Sequence, residues 1–425
     1  MNITVPYLSR IEGHAHLVVD VAAREVVACR LDVIETPRLF EQLLVGRHYS
    51  EVAGLAARIC GVCSHSHNLV SLMATERALG IQVSEQSLAL RRLLMCGEIL
   101  QSHLLHLYFM AVPDYLGVPS LLALTRDRRE LVGRALRLKK LGSQLCAAIG
   151  GRPVHPVTTC VGGFLRLPVA AELQELRRQL ARALPDLEQT VELLAGLDWP
   201  DFERESECLA LHDPHGYPLF GETLISSAGL QVPVERYSEL ISEYTVRHAT
   251  ARHARARTDS YLVGPLARLR QGYHHLSPLA RDVAALLNLS PRTANPYLAQ
   301  AARMVEVLQV VEQAMHLIDE LLLAGLHTET LGPPRRCGTG AAALEAPRGL
   351  LIHAYRYAED GTLLEADCVI PTAQNLANLE ADLRARVPQI IDCAEPLFQS
   401  DLERLVRSYD PCLSCATHLL TIERR

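Results

Sequence analysis

The sequence predicts an α+β protein, mainly α, in which a central bundle of long helices lies between N-terminal and C-terminal β-hairpin regions. Between residues 84 and 330, apolar residues recur at intervals of three and four, which is the pattern of amphipathic helices. Near both ends the pattern changes to alternation, which is typical of half-buried strands. With 425 residues, 49% of them hydrophobic, the chain can bury a large core. We predict a single domain over residues 1–425.

The N-terminal hairpin is predicted over residues 14–35. Its alternating apolar residues are Ala15, Leu17, Val19, Val21, Val27, Cys29, Leu31 and Val33. A short helical turn is predicted at residues 40–47, and helices are predicted over residues 69–78 and 84–112. The helix over residues 84–112 is the longest apolar candidate, so it belongs to the predicted bundle.

From about residue 121 to residue 330, helices are predicted to dominate. The apolar spacing over residues 173–194 indicates a helix that Pro185 kinks or divides. Residues 304–322 form a run long enough for a central bundle helix. We interpret the basic residues between 247 and 257 as a solvated or subunit-facing helix surface. A second hairpin is predicted at residues 350–370, with its turn at Asp360 and Gly361.

The composition excludes several classes of function. A net charge of −6 gives no basic surface for nucleic acid. We find no signal-peptide pattern in the first residues and no apolar stretch long enough to cross a bilayer. Twelve cysteines in a chain of this length are not the density of a disulfide scaffold. We therefore expect a cytoplasmic protein with no direct membrane span and no nucleic-acid partner.

Two Cys-x-x-Cys motifs lie at opposite ends of the chain, and each is followed closely by histidine. The first contains Cys60 and Cys63, and the second contains Cys412 and Cys415. Two residues between cysteines allow both sulfur atoms to face one point, and four such thiolates would bind a thiophilic metal. On spacing alone, a structural zinc site explains the motifs as well as a catalytic metal does, and a thioredoxin-type redox pair is a weaker alternative.

The residues that flank the cysteines give a more specific signal. In chain order the four motifs are Arg10-Ile11-Glu12-Gly13-His14, Arg58-Ile59-Cys60-Gly61-Val62-Cys63, Glu345-Ala346-Pro347-Arg348-Gly349, and Asp410-Pro411-Cys412 with Cys415 and His418. Together they resemble the large, catalytic subunit of nickel–iron hydrogenases from about residue 3 to residue 418. Residues 98–117 and 261–268 look most like the cytoplasmic, multi-subunit, cofactor-coupled members. The resemblance implies the hydrogenase large-subunit fold and reversible oxidation of H2.

The resemblance implies a nickel ion held by four thiolates. Cys60 and Cys412 would be terminal ligands, whereas Cys63 and Cys415 would bridge to an iron ion that carries CO and two CN ligands.

The resemblance also implies a second, hard-metal site. Glu41 and His418 would bind Mg2+ or another hard divalent ion there. Without the resemblance, Glu41 is an ordinary acidic residue on a helix surface.

Four charged residues around the metals receive roles from the resemblance. Glu12 would relay protons, because a carboxylate between a metal-bound thiolate and apolar surroundings should have a raised pKa. By composition alone, Glu12 would instead be a solvated or capping group. Arg348 would lie over the open face of the metals and, with Asp114 and Asp410, would form the outer layer of the catalytic site.

Three further residues are expected to contact the metal ligands. The family uses a histidine at the position of His67 as a hydrogen-bond donor to a bridging sulfur, which tunes the metal. From its spacing alone, His67 could be a metal ligand, a hydrogen-bond donor beside the metal or a buried core histidine. Pro371 and Thr372 fall where the family places hydrogen bonds to a cyanide on iron.

The remaining eight cysteines are scattered singly and lack the spacing of an iron–sulfur centre. Electrons must therefore leave through a partner subunit that carries iron–sulfur clusters, and further subunits for NAD(P), a flavin or another acceptor are expected. Many relatives lose a short extension after the last histidine, so a maturation protease is expected to remove residues 419–425.

Three alternative functions stay open beside a hydrogenase. One is a quinone-binding respiratory-complex subunit of the same fold, against which the four cysteines argue. The others are a hydrogen sensor without turnover and a zinc-stabilised scaffold.

Overall fold

The computed structural model describes residues 2–5 and 7–417, which form an α+β architecture dominated by helices. The α-helices in these residues are α1 (Phe40–Leu44), α2 (Tyr49–Ala56), α3 (Ser64–Leu79), α4 (Glu85–Leu105), α5 (Val112–Tyr115), α6 (Arg129–Gly150), α7 (Ala170–Ala195), α8 (Pro265–Gly272), α9 (Pro278–Leu286), α10 (Ala299–Ala324), α11 (Pro371–Ile390), α12 (Glu395–Ser408) and α13 (Leu413–Ala416). The strands are β1 (Asn2–Val5), β2 (Ala15–Ala22), β3 (Glu25–Val33), β4 (Thr159–Cys160), β5 (Gly163–Phe164), β6 (Glu207–His212), β7 (Thr223–Ser226), β8 (Gln231–Pro233), β9 (Ser242–Tyr244), β10 (His253–Arg255), β11 (Tyr261–Leu262), β12 (Thr339–Ala346), β13 (Gly349–Tyr357) and β14 (Leu363–Val369).

The long helices form the bundle that the sequence predicts. α4 packs against α6 and α10, and α10 packs in turn against α7. The Ser84 side chain caps α4 by accepting the N–H of Ser87 at 3.1 Å. α7 continues through Pro185 as one helix of 26 residues, because buried leucines on both sides of the proline keep the helix packed. Within the described part of the chain, no helix is both long and apolar enough to span a membrane.

Both predicted hairpins are confirmed, and each has a third strand. β2 pairs antiparallel with β3, placing Val19 opposite Cys29, and β1 pairs with the other edge of β2. At the C-terminal end β13 pairs with both β12 and β14, again antiparallel. α3 lies against β12 and β13. Because α3 follows Cys63 directly, this packing brings the first cysteine motif to the C-terminal sheet.

The prediction that helices dominate residues 121–330 is wrong for residues 207–262. There β11, β6, β7 and β8 form a four-stranded sheet, and β9 pairs with β10. The strands are two to six residues long, which is too short for alternation to be recognised reliably in the sequence. The basic residues 247–257 contain β10 rather than a helix, and Arg252 forms ion pairs with Glu41 and Glu243 instead of facing solvent.

Candidate metal centre

The two cysteine motifs lie at helix starts. Cys60 follows a single turn of 3-10 helix, and Cys63 is the N-cap residue of α3. Cys412 is the N-cap residue of α13, and Cys415 lies within that short helix. The partial positive charge at the N-terminus of α3 acts toward the thiolate form of Cys63, but the hydrogen bond with Cys60 and burial together raise its pKa. Each motif therefore presents two sulfur atoms from one tight turn.

The four sulfur atoms converge, as the sequence predicts. The Sγ atoms of Cys60 and Cys412 are 3.4 Å apart, and those of Cys63 and Cys415 are 3.9 Å apart. All four sulfur atoms lie within 4.8 Å of one another, and all four cysteines are free and buried. Sulfur atoms arranged tetrahedrally around one ion at a metal–sulfur distance of about 2.3 Å would be roughly 3.8 Å apart. The cluster therefore has the dimensions of a four-thiolate metal site.

Burial and mutual hydrogen bonds set the protonation of the four thiols. Burial raises the pKa of Cys412 and of Cys415 well above the usual value. The pKa of Cys60 is lowered, chiefly by its hydrogen bond with Cys412. The Cys60 sulfur also accepts the backbone N–H groups of Val62 at 3.2 Å and Cys63 at 3.3 Å. Since metal ligands must be thiolates, metal binding has to release protons from this cluster.

A small cavity adjoins three of the cysteines. Its lining residues are Cys63, His67, Ala346, Arg348, Leu351, Ile370, Pro371, Thr372, Cys412 and Cys415. Apart from the sulfur atoms, only His67, Arg348 and Thr372 contribute polar side chains. The cavity thus offers a small molecule both cysteine sulfur atoms and a guanidinium.

Arg348 reaches this cavity from the turn between β12 and β13 and is held there by Asp410. Its Nε donates to the Asp410 carbonyl oxygen at 2.8 Å, and its Nη2 donates to Oδ1 at 3.0 Å. Nδ1 of His106 lies 2.9 Å from the same carboxylate oxygen. Burial would raise the pKa of Asp410, but the Arg348 guanidinium holds it well below its usual range. Nη1 of Arg348 has no hydrogen-bond partner among the described residues, so it remains available to a molecule in the cavity.

Glu12 binds the second cysteine motif directly. Its backbone forms a parallel bridge with Cys412, and its carbonyl oxygen accepts the N–H of Leu413 at 3.0 Å. Its Oε2 accepts the N–H of Ser414 at 3.1 Å, and its Oε1 accepts the Ser414 hydroxyl. Because Glu12 is only partly buried, its carboxylate connects the cysteine motif with the protein surface.

Gly13 makes this contact sterically feasible. Its φ is +88°, and a Cβ placed on it would lie 2.8 Å from the Cβ of Leu413. We expect Gly13→Ala to lower the free energy of unfolding by about 1–3 kcal/mol and to displace α13 from Glu12. Thermal unfolding measures the loss. Gly229→Ala is the matched control, because Gly229 has a φ of +85° and nothing within 4 Å of the added Cβ. Equal losses in the two variants would contradict a specific contact at Gly13.

The cavity is closed on one side by the start of α11. Pro371 is the first residue of that helix, and Oγ1 of Thr372 accepts the N–H of Cys412 at 2.9 Å. His67 also lines the cavity, and its Nδ1 lies 3.2 Å from Nε2 of His353. Burial lowers the pKa of His67 to about 4, so its imidazole is neutral near pH 7. The structure brings His67, Pro371 and Thr372 to the cavity, and their predicted contacts with metal ligands stay predictions.

Glu41 binds an arginine at the place where a hard ion is predicted. Its Oε2 accepts a hydrogen bond from Nη2 of Arg252 at 2.8 Å. Its Oε1 accepts hydrogen bonds from Nη1 of Arg252 at 3.2 Å and from the backbone N–H of Cys368 at 3.0 Å. Arg252 is held in turn by Glu243 at 2.8 Å. His418, the other predicted ligand, lies outside the described residues. As they stand, these side chains do not fit a magnesium ion, since both oxygens of Glu41 are engaged; Glu41 as a metal ligand stays a prediction.

Asp114 is not among the residues that line the cavity. Its carboxylate binds Arg10 and, at 2.8 Å, Nη1 of Arg407, and its carbonyl oxygen accepts Nη2 of Arg404. Three arginines therefore hold Asp114 in an ion-pair network between α5 and α12. A catalytic role for Asp114 stays a prediction that this position does not support.

Two residues at the site were missed by the sequence analysis. His106, which contacts Asp410, lies on an apolar helix, where its spacing from His103 indicates only a shared core face. Ser414, which binds Glu12, is an ordinary residue between two cysteines. A signal existed for Ser414, because it lies inside the Cys-x-x-Cys turn and must be close to whatever packs on that turn.

Comparison with known proteins identifies the family. Residues 38–133 and 237–418 match the sequence profile described as nickel-dependent hydrogenase. This chain belongs to the nickel–iron hydrogenase family. It is 32% identical to sulfhydrogenase 1 subunit alpha of Pyrococcus furiosus, over 99% of both chains. It is 31% identical to sulfhydrogenase 2 subunit alpha of the same organism, over 99% of this chain and 100% of that protein.

A solved hydrogenase has the same fold. The structure described as an NAD+-reducing [NiFe]-hydrogenase in the H2-reduced state superposes with a TM-score of 0.88 and 25% identity, over 98% of this chain and 99% of the other. The predicted large-subunit fold is therefore confirmed. With the four converging cysteines in place, the chain is the catalytic large subunit of a nickel–iron hydrogenase, an oxidoreductase that acts on H2.

Proposed function

We propose that this hydrogenase subunit oxidises H2 reversibly and passes the electrons to an iron–sulfur subunit bound beside it. The observation that carries the proposal is the buried cluster of four cysteine sulfur atoms within 4.8 Å of one another. Among the described residues, the other group of candidate metal ligands contains no cysteine, so an electron relay has to come from a partner.

The donor set fits a nickel–iron pair. Cys60 and Cys412 would hold nickel as terminal ligands, and Cys63 and Cys415 would hold nickel and iron together. When bound, the pair supplies the cleavage of H2 into protons and electrons. The Thr372 Oγ1 accepts the Cys412 N–H, so its hydroxyl proton would be free to donate to a CN ligand of the bound iron.

Arg348 and Asp410 would position H2 and assist proton removal. Asp410 binds the guanidinium through Nε and Nη2 and leaves Nη1 available at the cavity. A buried guanidinium in this arrangement presents a fixed, preorganised donor to the reacting molecule. His67, neutral at pH 7 because burial lowers its pKa to about 4, would donate one N–H to a bridging sulfur.

Glu12 would carry protons from the metal ligands to the surface. We expect Glu12→Gln to lower kcat for H2 uptake by about 10²-fold, because an amide cannot accept a proton for transfer, with nickel content unchanged. Activity assays and metal analysis of the purified complex measure both quantities. Glu25→Gln, at an exposed position at the start of β3, is the control. Full activity in Glu12→Gln would exclude Glu12 from the proton route.

The electron acceptor proposed for the complex is NAD(P), reached through flavin or other acceptor subunits. The similarity to an NAD+-reducing [NiFe]-hydrogenase supports this acceptor. H2-dependent reduction of NAD+ or NADP+ by the purified complex tests it directly. Activity with an artificial dye but not with NAD+ or NADP+ would show that the physiological acceptor belongs to another class of molecule. The cytoplasmic location stays a prediction.

A maturation protease is proposed to remove residues 419–425, which lie outside the described residues. Intact mass of the active subunit tests the cleavage, because removal of the seven residues lowers the subunit mass by the combined mass of those residues. Active protein with all seven residues attached would show that cleavage is not required here.

The hard ion is a separate proposal. An ion bound to Glu41 would require Arg252 to move away from the Glu41 carboxylate.

Infrared spectroscopy of the purified complex tests the proposed cofactor. Metal-bound CO and CN absorb in a region where amino acids do not. We expect one CO band and two CN bands, which Cys63→Ser should abolish because iron loses a bridging ligand. A preparation that contains zinc in the four-cysteine site and lacks these bands would overturn the proposal.

A further inference from the structure

A second group of metal-ligand side chains lies between α11 and β10. It consists of Glu380 on α11, His253 at the start of β10, and His248 in the preceding loop. One ligand atom from each of the three residues lies within 4.8 Å of the other two. β10 packs directly against α11, so the group is held between two regular elements rather than on a single loop.

The two histidines share the carboxylate of Glu380. Nε2 of His248 lies 2.9 Å from Oε1, and Nε2 of His253 lies 3.6 Å from Oε2. The His248 and His253 rings are 5.8 Å apart at an interplanar angle of 81°. Both imidazoles therefore direct a nitrogen toward the same small region, one at each carboxylate oxygen.

His253 gives an independent reason to expect a ligand here. Its side chain is 2% exposed, yet Nε2 approaches the Glu380 carboxylate only at 3.6 Å, and Nδ1 has no hydrogen-bond partner within the described part of the chain. Leaving a buried polar group without a partner costs free energy, and native proteins satisfy nearly all such groups. A metal ion bonded to Nε2 would satisfy one of these two nitrogens.

The carboxylate is fixed from a third direction. The backbone N–H of Leu31 on β3 donates to Oε1 of Glu380 at 3.0 Å, and β3 packs against α11. Supporting hydrogen bonds of this kind orient a ligating carboxylate. His248 and Glu380 remain partly exposed, at 25% and 18%, so an ion and its water ligands can reach the group.

We propose that His248, His253 and Glu380 bind a divalent first-row transition-metal ion, with zinc as the best match. Two imidazole nitrogens and one carboxylate oxygen are a zinc ligand set that leaves a position for water. Hard ions such as Mg2+ prefer oxygen ligands only, and soft ions prefer sulfur, which is absent from this group. The site is separate from the four cysteines, and the proposal does not rest on the hydrogenase reaction.

Cobalt(II) titration of the purified complex tests the site. The complex, with its nickel content measured beforehand, is washed with EDTA and titrated with Co2+ alone. We expect one additional equivalent of cobalt with visible d–d bands and without the near-ultraviolet charge-transfer band that thiolate ligands produce. Zn2+ should displace the cobalt and bleach the bands.

Variants locate the binding to these residues. Glu380→Gln keeps the side-chain volume and an acceptor for the Leu31 N–H, and His253→Ala removes the buried imidazole. Each is expected to lose the cobalt bands while retaining nickel. His316→Ala is the matched control, since His316 also contacts a carboxylate, Glu320 at 3.1 Å, but is exposed on α10 and has no third ligand among the described residues. If His253→Ala does not fold, the cobalt binding of Glu380→Gln alone tests whether these residues form the site.

Three results would overturn the proposal. The first is that the complex takes up no cobalt outside the nickel site. The second is that Glu380→Gln takes up as much cobalt as the unchanged chain. The third is that the cobalt spectrum contains a thiolate charge-transfer band. Loss of nickel or of the infrared bands would instead contradict the proposed hydrogenase cofactor, so the two failures are distinguishable.

Discussion

Replacing Cys412 by serine is expected to abolish both nickel binding and H2 turnover. The Cys412 sulfur lies 3.4 Å from that of Cys60 and joins the two halves of the cluster. A serine hydroxyl is a hard, weakly acidic ligand that stays protonated near pH 7, so the site loses a thiolate that a soft metal requires. Changes in groups that merely support metal ligands cost about 10–100-fold, and loss of a ligand should exceed that range and reduce activity to background.

Cys393→Ser is the matched control for this variant. Cys393 is a free cysteine at an exposed position beyond α11, so the same chemical change leaves the cluster intact. Metal analysis and H2-uptake assays of the two purified variants make the comparison. Retention of one nickel and measurable turnover by Cys412→Ser would show that the second cysteine motif is not required to hold the metal.

Replacing Arg348 by lysine is expected to lower kcat for H2 oxidation by about 10²–10³-fold while leaving the metal content unchanged. Arg348 donates to the carbonyl and to the carboxylate of Asp410 through two different nitrogens and still presents Nη1 to the cavity. A lysine keeps the charge but has one nitrogen, so it cannot hold Asp410 and also face the cavity in a fixed orientation. The defect should therefore lie in turnover rather than in assembly.

Arg356→Lys provides the control for the arginine change. Arg356 lies on β13, eight residues farther along the chain, and its exposed side chain binds Glu365 at the surface. Steady-state H2 uptake and nickel analysis of both variants test the expectation. Unchanged kcat in Arg348→Lys would remove Arg348 from the reaction, and loss of nickel would make it a structural residue.

Much of the architecture was predictable because it depends on long patterns. α7 and α10 are each 26 residues long, and apolar residues at helical spacing cover residues 173–194 and 304–322 of them. The two predicted hairpins have alternating residues over most of their length. The sheet formed by β6, β7, β8 and β11 was missed because strands of two to six residues carry no readable period. The same limit explains why Arg252, just before β10, was assigned to a helix surface.

The metal centre was predictable to the extent that its residues belong to motifs. Cys60, Cys63, Cys412 and Cys415 could be assigned together because four short motifs occur in one order along the chain. Arg252 lies outside these motifs, and its ion pair with Glu41 depends on a fold that brings residues 211 positions apart together. Asp114, a carboxylate near the end of a helix, was assigned by a loose likeness; the structure places it in an arginine network, and its catalytic role stays a prediction.

Anomalous diffraction from crystals of the purified complex, recorded at the nickel and iron edges, tests the central claim most directly. We predict one nickel peak bonded to the sulfur atoms of Cys60, Cys63, Cys412 and Cys415, and one iron peak beside it on Cys63 and Cys415. A single peak at the zinc edge among the four sulfur atoms, with no nickel or iron, would contradict the account.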